Sequence, residues 1–504
     1  MDLGSHPPKT IVAIAATAFL LAACSLSSSS APSAAPTQTQ SEETEQGESQ
    51  VRGGAEEVQE EQAETAERLD ALVEAQADNT FGTVAATTDP APGWAGSEVI
   101  NPKTDDWEPA IAADPHAPYV YMITTRYGQE KLCPSHCPTP FIALVVSKDG
   151  GKTWGDDHPL CVCRGSGAQY DPVIEVVPNT GVVYAGFLNA DRAGGFSTVF
   201  IKSANHGRSW SEPVHVYGKG GWTDKPEITT SLSGRDVYAS WNGPTGGDPW
   251  IGQSHDFGET WTQTRLVSSK RYFFAYDARV LPDSTVLFSE SSLTYTGPGA
   301  SAEGEVWHHL FISRDDGRTW ENVIVDKVPV GEACVALGCS SDFYTGQTSI
   351  SSNPVGHLVF AYEGPKELYG PQLIYVRLSD NKGRTWGPRI VLSEQGENAT
   401  GPRLAGFGSG EVRIWYMQTA NNDDPDAWNV WFRSSSDGGS TWSSPVKISD
   451  APAGAAKYIN SDGFDEIYGD YGEVAITNTG KTIAVWGEGR SWLGPGGSWF
   501  NRQL

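Results

Sequence analysis

A short motif recurs six times between residues 147 and 442, and it constrains the fold more than any other feature of the sequence. Each copy reads Ser-x-Asp/Asn-x-Gly-x-Ser/Thr-Trp. The copies begin at Ser147, Ser203, Ser254, Ser313, Ser379 and Ser435. Short polar side chains hydrogen-bond nearby backbone N–H groups, and glycine adopts the positive φ that a tight turn needs. The motif therefore predicts a hairpin turn whose tryptophan enters the apolar layer between sheets.

The spacing of the copies, 51 to 66 residues, indicates a β-propeller with one blade per repeat. Two apolar strands precede each copy, and a seventh strand pair has no motif after it. The pairs are Glu108–Tyr121, Pro172–Tyr184, Pro226–Trp241, Ala278–Phe288, Gln347–Phe360, Arg403–Trp415 and Gly472–Trp486. We therefore predict an all-β, seven-bladed propeller, with six blades as the alternative. Ser97–Ile100 would pair beside Ser498–Arg502 and close the ring, which removes exposed strand edges.

The motif resembles the Asp box, the bacterial neuraminidase repeat of the sialidase superfamily. The resemblance extends over residues 94–504 and includes all six copies. It implies that the motif residues hold the blades together and take no part in chemistry. It also implies a glycan-directed protein with a site elsewhere on the propeller.

The N-terminus predicts export and a lipid anchor. Lys9 precedes the apolar segment Ile11–Ala23, which has the length of a signal-peptide core and is too short to cross a bilayer. It ends in Leu21-Ala22-Ala23-Cys24, which resembles the bacterial lipobox. The resemblance implies cleavage before Cys24 and acylation of its thiol, with an ordinary signal peptide as the alternative. We expect a protein anchored to a membrane of the cell envelope and facing away from the cytoplasm.

Residues 24–93 are predicted to form a disordered acidic tether before the propeller at 94–504. Residues 41–80 contain 13 Asp or Glu and 2 Arg, and this composition buries too little apolar surface to fold alone. The whole chain has 35 Lys or Arg against 62 Asp or Glu, a net charge of −27. Long-range repulsion therefore argues against nucleic acid as a partner, and against membrane contact other than through the lipid. We expect a monomer whose partner is an envelope or extracellular glycan.

Six further cysteines predict disulfide bonds, since an even number of cysteines in an exported protein favours bridges. They are Cys133, Cys137, Cys161, Cys163, Cys334 and Cys339. A bridge within Cys161-Val162-Cys163 would be strained, so we expect Cys161 and Cys163 to bridge to Cys133 and Cys137. A four-cysteine metal site is the alternative. We expect no cofactor, although the acidic loop at 423–426 is either an exposed loop or a structural Ca²⁺ site.

The functional site is predicted at one mouth of the central channel. Blade geometry assigns the long loops and all six cysteines to one face, and the inner strands begin at that face. Long loops on a rigid scaffold are where binding usually occurs. Charged and polar residues at the predicted strand starts would form a ring: Glu108, Asp171, Lys225, Asp277, Arg279, Arg403, Tyr471 and Glu473, with Arg490 nearby.

The resemblance to sialidases implies roles for these residues. Tyr471 and Glu473, two apart on one strand, would form the nucleophile pair of an exo-α-sialidase-like glycoside hydrolase. Asp171 or Asp277 would be the acid/base. Arg279, Arg403 and Arg490 would bind the carboxylate of an acidic sugar, with Glu108 and Lys225 as further ligand contacts.

The sequence departs from the family at one point, because the Arg-Ile-Pro tripeptide of its first arginine does not occur. Each channel residue could instead hydrogen-bond the neighbouring blade. A non-catalytic glycan- or protein-binding propeller, or an envelope scaffold, is therefore the alternative function.

Overall fold

A computed structural model describes 15 segments of the chain. They are residues 73, 89–128, 130–133, 137–192, 195–216, 223–243, 247–294, 304–331, 346–408, 410–419, 428–449, 458–459, 465–466, 472–489 and 496–504. The predicted signal peptide, Cys24 and nearly all of the predicted tether lie outside these residues. No helix among the described segments is long and apolar enough to cross a membrane.

The described residues form an all-β structure of thirty strands and one short 3₁₀ helix, Glu130–Leu132. Strand β1 is Glu98–Val99. Blade 1 follows with β2 (Asp105–Ala113), β3 (Val120–Tyr127), β4 (Phe141–Ser147) and β5 (His158–Pro159). Blade 2 contains β6 (Ser166–Val176), β7 (Val183–Asp191), β8 (Phe196–Ser203) and β9 (Val214–His215). Blade 3 contains β10 (Asp224–Thr230), β11 (Val237–Asn242), β12 (Pro249–Ser254) and β13 (Thr262–Arg265).

The remaining blades repeat this order. Blade 4 contains β14 (Tyr272–Val280), β15 (Val286–Leu293), β16 (Glu305–Ser313) and β17 (Glu321–Pro329). Blade 5 contains β18 (Thr348–Ser352), β19 (Leu358–Pro365), β20 (Gln372–Ser379) and β21 (Ile390–Val391). Blade 6 contains β22 (Ala399–Phe407), β23 (Glu411–Thr419), β24 (Trp428–Ser435) and β25 (Val446–Lys447). A two-stranded hairpin, β26 (Tyr458–Ile459) with β27 (Asp465–Glu466), precedes β28 (Glu473–Ile476), β29 (Thr482–Gly489) and β30 (Gly496–Arg502).

The two ends of the chain complete the seventh blade, whose strand order is β1-β30-β29-β28. Glu98 pairs with Phe500 and Val99 with Trp499, in antiparallel register. The Ile100 N–H donates to the Ser498 carbonyl at 2.9 Å and extends the pairing. The predicted seven blades and the predicted closure are both confirmed. Closure matters because it leaves the ring without an open blade seam.

Each copy of the repeated motif forms the turn between the third and fourth strands of its blade. In the first copy, the Ser147 hydroxyl accepts from the Gly151 N–H at 2.8 Å and donates to Asp149 Oδ1 at 2.9 Å. Asp149 also accepts from the Thr153 N–H and hydroxyl, at 2.9 and 2.6 Å. The same backbone pattern recurs in the other copies. Asn205 and Asn381 replace the aspartate in two of them, and their Nδ2 groups donate to the Ser209 and Thr385 hydroxyls. The predicted hairpin turn is confirmed.

The motif glycine and tryptophan contact the preceding blade. Gly258, at φ 81°, lies so close to Phe200 of blade 2 that an added Cβ would stand 2.1 Å from its Cε1. Trp261 packs edge-on against the same ring, with the centroids 5.3 Å apart. The indole is half-buried, so part of it remains in contact with solvent. The glycine is therefore required both for its backbone angle and for the close approach of two blades.

The disulfide pairing differs from our prediction. Cys133 bridges to Cys137, and Cys161 bridges to Cys163. The Cα–Cα distances are 5.1 and 5.2 Å, inside the range that a disulfide spans. Cross-bridging was wrong because the backbone at Cys161-Val162-Cys163 holds the two Cα atoms at a bonding distance without help from the other loop. Cys334 and Cys339 lie outside the described residues.

We predict that Gly258→Ala destabilises the propeller more than Gly150→Ala does. Both glycines have a positive φ, 81° and 76°, so alanine is strained at either position. Only at Gly258 does the new Cβ also collide with another blade, because nothing lies within 4 Å of a Cβ at Gly150. Overpacking should add about 1–3 kcal/mol to the loss at Gly258, measurable by urea unfolding. Equal losses in the two variants would show that the turn does not hold the blades together.

Candidate functional site

The inner strands that surround the channel are interrupted by β-bulges. The register shifts in β2, β6, β10, β14 and β22 beside the channel. In the first three, a residue before a proline adopts a positive φ: Glu108 at 57°, Asp171 at 51° and Lys225 at 49°. Bulges re-aim side chains, and backbone strain of this kind clusters at functional sites. All three residues were predicted site residues.

Four predicted site residues join one blade to the next. Glu108 Oε2 accepts from the Asp171 N–H at 3.0 Å, and Asp171 Oδ2 accepts from the Lys225 N–H at 3.3 Å. Asp277 Oδ2 accepts from the Ile350 N–H at 2.9 Å. Glu473 Oε2 accepts from the Ile111 N–H at 2.7 Å. The alternative that channel residues hydrogen-bond the neighbouring blade therefore holds for these carboxylates.

The structure also gathers several predicted residues in one pocket of the channel. Asp277, Arg279, Arg403 and Glu473 line it. They are joined by side chains that were not predicted, namely Glu227, Tyr276 and Ser349. The pocket offers about 30 Å³ in which the centre of a water-sized group can lie, so it is narrow. Asp277 and Arg403 lie deeper than predicted, at the sixth and fifth positions of their strands, and not at the strand starts.

The two arginines differ in how they are held. Arg279, whose side chain is 37% exposed, forms an ion pair with Asp277 at 2.6 Å. It also donates to the Ala278 carbonyl at 2.5 Å. Arg403 is only 4% exposed, and its Nε donates to the Gly472 carbonyl of blade 7 at 2.6 Å. Arg279 is therefore accessible from the pocket, whereas Arg403 also supports a blade seam.

Burial keeps protons on several carboxyl groups of the channel. It raises the pKa of Glu473 to about 7 against the hydrogen bond from Ile111, and the pKa of Glu227 well above its usual range. Burial likewise raises the pKa of Glu175 to about 8, although Arg279 opposes this. Burial lowers the pKa of the Arg279 guanidinium, but the nearby Asp277 and Glu175 raise it by more, so it stands above its ordinary value. Below about pH 7 the pocket thus holds guanidinium groups beside acids that keep their protons.

Glu108, Asp171 and Lys225 form a second charged group. Lys225 is buried at 4% exposure and lies close enough to Glu108 and Asp171 to lower the pKa of each. Burial outweighs this attraction, so the pKa of Glu108 rises to about 8 and that of Asp171 to about 7. None of the three lines the pocket. They belong to the seams between blades 1, 2 and 3. Tyr471 and Arg490 lie outside the described residues.

One arrangement that the sequence did not predict resembles a nucleophile with its base. The Ser292 hydroxyl lies 2.8 Å from His309 Nε2, and His309 Nδ1 lies 2.9 Å from Asn322 Oδ1. Ser292 is completely buried, however, and Arg271 Nε donates to its hydroxyl at 2.8 Å. The arrangement therefore stabilises blade 4 and presents no accessible nucleophile.

A metal centre is not formed by the described residues, since no three His, Cys, Asp or Glu side chains among them are placed to hold an ion. The four-cysteine alternative is wrong, because these cysteines pair as two disulfides. The acidic loop at 423–426 lies outside the described residues.

The fold and the channel define this chain as a seven-bladed β-propeller with a narrow, charged pocket on its axis. Three solved structures illustrate the likeness. A Hadza microbial sialidase is 12% identical and covers 79% of this chain and 65% of its own, with a TM-score of 0.45. A polysaccharide lyase, an ulvan lyase, is 12% identical and covers 80% of this chain and 95% of its own, with a TM-score of 0.48. A mutant NanB sialidase from Streptococcus pneumoniae is 12% identical and covers 84% of this chain and 71% of its own, with a TM-score of 0.42.

These likenesses concern the fold alone. The chain spans 65% of the length of the Hadza sialidase. No family model matches the sequence, and no curated protein matches it either.

We predict that the propeller loses stability as the pH rises from about 4.5 to about 8. Burial raises the pKa of Glu290 from 4.5 to about 8, against one hydrogen bond from the Ser240 hydroxyl. A group whose pKa is raised by folding binds more protons in the folded state than in the unfolded state. Its contribution to stability is complete when the pH is below its pKa in the unfolded chain, and it is lost as the pH rises through its pKa in the folded chain. Melting temperatures of Glu290→Gln should therefore fall less steeply across this range than those of the wild type.

Asp256→Asn provides the control for this prediction. Hydrogen bonds from Thr260 lower the pKa of this motif aspartate to about 2, so its titration lies below the range. Asparagine already occupies the equivalent position in two copies of the motif, at Asn205 and Asn381. The pH dependence of the melting temperature would contradict the role of Glu290 if it stayed unchanged in Glu290→Gln, or if it changed as much in Asp256→Asn.

Proposed function

We propose that this protein is an exported, glycan-directed propeller that binds the acidic group of a saccharide in the channel pocket. The observation that carries the proposal is the convergence of Arg279 and Arg403 on a pocket in which burial raises the pKa of Glu473 to about 7 and that of Glu227 well above its usual range. Guanidinium groups bind carboxylates with charge-assisted hydrogen bonds. Proton-bearing acids do not repel an anion, and the remaining carboxyl group of the pocket, Asp277, is already paired with Arg279.

The size of the pocket limits what enters it. About 30 Å³ holds roughly two water-sized groups, which corresponds to the two oxygens of a carboxylate and not to a sugar ring. The ring of a bound sugar would therefore lie outside the pocket. A saccharide with a terminal acidic group fits this arrangement better than an internal stretch of polymer does.

Binding should depend on Arg279. We predict that Arg279→Gln weakens retention of sialylated or uronic-acid glycans on an array by at least about tenfold, because a charge-assisted contact contributes about 1.5–3 kcal/mol. The matched control is Arg318→Gln, which removes a 72% exposed arginine from a motif turn. Equal losses in the two variants, or none in Arg279→Gln, would contradict the proposed site.

The same binding should weaken as the pH rises above about 7. Glu473 and Glu175 then lose their protons, and the new negative charges repel a carboxylate that is ionised at all these pH values. Titrations of one acidic glycan at pH 6 and pH 9 should differ by about tenfold or more in affinity. Affinity that stays level or rises with pH would show that these acids do not face the ligand.

Hydrolysis is the second candidate function, and one observation favours it. Glu473 has a pKa of about 7 and lines the pocket beside Asp277, so it suits a general acid at neutral pH. Tyr471 remains a predicted nucleophile. An enzyme would release sugar from an arrayed acidic glycan over time and lose turnover in Glu473→Gln, whereas a binding module would retain the glycan intact.

Anchoring at Cys24 belongs to the same proposal and has a separate test. In bacteria fed a labelled fatty acid, the wild-type chain should carry the label and remain with the membrane fraction. Cys24→Ala should lose both, while Cys133→Ala, which breaks one disulfide, should keep the label. Labelled Cys24→Ala protein would rule out the anchor.

A further inference from the structure

Tyr276 is the extra residue of the bulge in β14. Ala275 pairs with Glu290 and Asp277 pairs with Ser289, so Tyr276 has no partner in β15. The bulge lets two consecutive residues, Tyr276 and Asp277, line the same pocket. In a regular strand they would point to opposite faces.

The hydroxyl of Tyr276 is buried, and no hydrogen bond to it is found among the described residues. The side chain is 4% exposed, and its Oη meets no donor or acceptor among the described residues in hydrogen-bond geometry. The Ser291 hydroxyl lies close enough to lower the pKa of the phenol, yet the two hydroxyls do not meet in standard hydrogen-bond geometry. Buried polar groups in folded proteins are nearly always paired, so a group of this kind calls for an explanation.

The surroundings of this hydroxyl suit an anion. Burial raises the pKa of Tyr276, so the phenol keeps its proton and can donate it. The charged groups that act on it are Lys225, Glu363 and Arg403. Burial raises the pKa of Glu363 to about 8, so two cations and a proton-bearing acid surround the phenol near neutral pH.

We propose that Tyr276 donates a hydrogen bond to one oxygen of a carboxylate held in the channel pocket, while Arg279 and Arg403 contact the same group. This inference rests on the proposed function and names the third donor of that site. It makes Tyr276 a ligand-binding residue, and it defines the ligand as a carboxylate-bearing molecule.

Acetate is the probe, because it is a carboxylate small enough for the pocket. Its affinity is measured at pH 6 by isothermal titration on the full chain, for the wild type and for Tyr276→Phe. Loss of a hydrogen bond to a charged group should weaken acetate about tenfold or more in the variant. The control is Tyr375→Phe, which removes a hydroxyl from a buried tyrosine that packs on Tyr362 and does not line the pocket. It should bind acetate as the wild type does.

Each result decides the question. Equal acetate affinity in the wild type and Tyr276→Phe overturns the inference, and so does a wild type that binds no acetate. A lower melting temperature in Tyr276→Phe also overturns it, because the hydroxyl would then have a structural partner.

The proposed function can fail separately. If acetate binding depends on Tyr276 but no acidic glycan is retained, the carboxylate site stands and the glycan proposal falls. If glycans are retained equally by the wild type and Tyr276→Phe, the inference falls and the glycan proposal stands.

Discussion

The propeller depends on buried polar contacts that cross every seam between blades near the channel. Glutamate or aspartate oxygens accept backbone N–H groups of the next blade at the seams 1–2, 2–3, 4–5, 5–6 and 7–1. Glu290 accepts from Ser240 across the seam 3–4, and Arg403 donates to Gly472 across the seam 6–7. The inner strands of neighbouring blades do not form a continuous sheet, so these contacts satisfy backbone groups that would otherwise be buried and unpaired. The outer turns add the close packing of motif glycines and tryptophans on the preceding blade.

This arrangement restricts which channel residues remain for a ligand. Glu108 and Asp171 use carboxylate oxygens to hold the next blade, and their positive φ angles mark the strain of doing so. Asp277 and Glu473 also accept backbone N–H groups of the next blade, and both line the pocket as well. Arg279, Glu227 and Tyr276 also line the pocket, and Arg279 donates to the Leu404 carbonyl of blade 6 at 3.4 Å. The proposed site is therefore built on a ring of residues that also hold the blades together.

Carboxyl groups at the blade seams keep their protons, so the stability of the ring depends on pH. The proposed binding of an anion in the pocket depends on pH in the same direction. Burial raises the pKa of Glu108, Glu290 and Glu363 to about 8. Ionisation of such groups weakens the seams and, in the pocket, introduces repulsion toward an anion. Mildly acidic conditions thus favour both the closed ring and the proposed ligand.

The sequence by itself determined the number of blades and the closure of the ring. The spacing of Ser147 to Ser435 and the strand alternation are local patterns, and a turn with a glycine at positive φ has the same geometry wherever it occurs. It also identified Asp277, Arg279, Arg403 and Glu473 as channel residues. Only the tertiary structure decided that Tyr276 joins Asp277 in the pocket, that Arg403 is buried, and that Cys161 bridges to Cys163. The physical reason is that a bulge breaks the two-residue period of a strand, and burial and loop geometry depend on neighbouring blades that no local pattern describes.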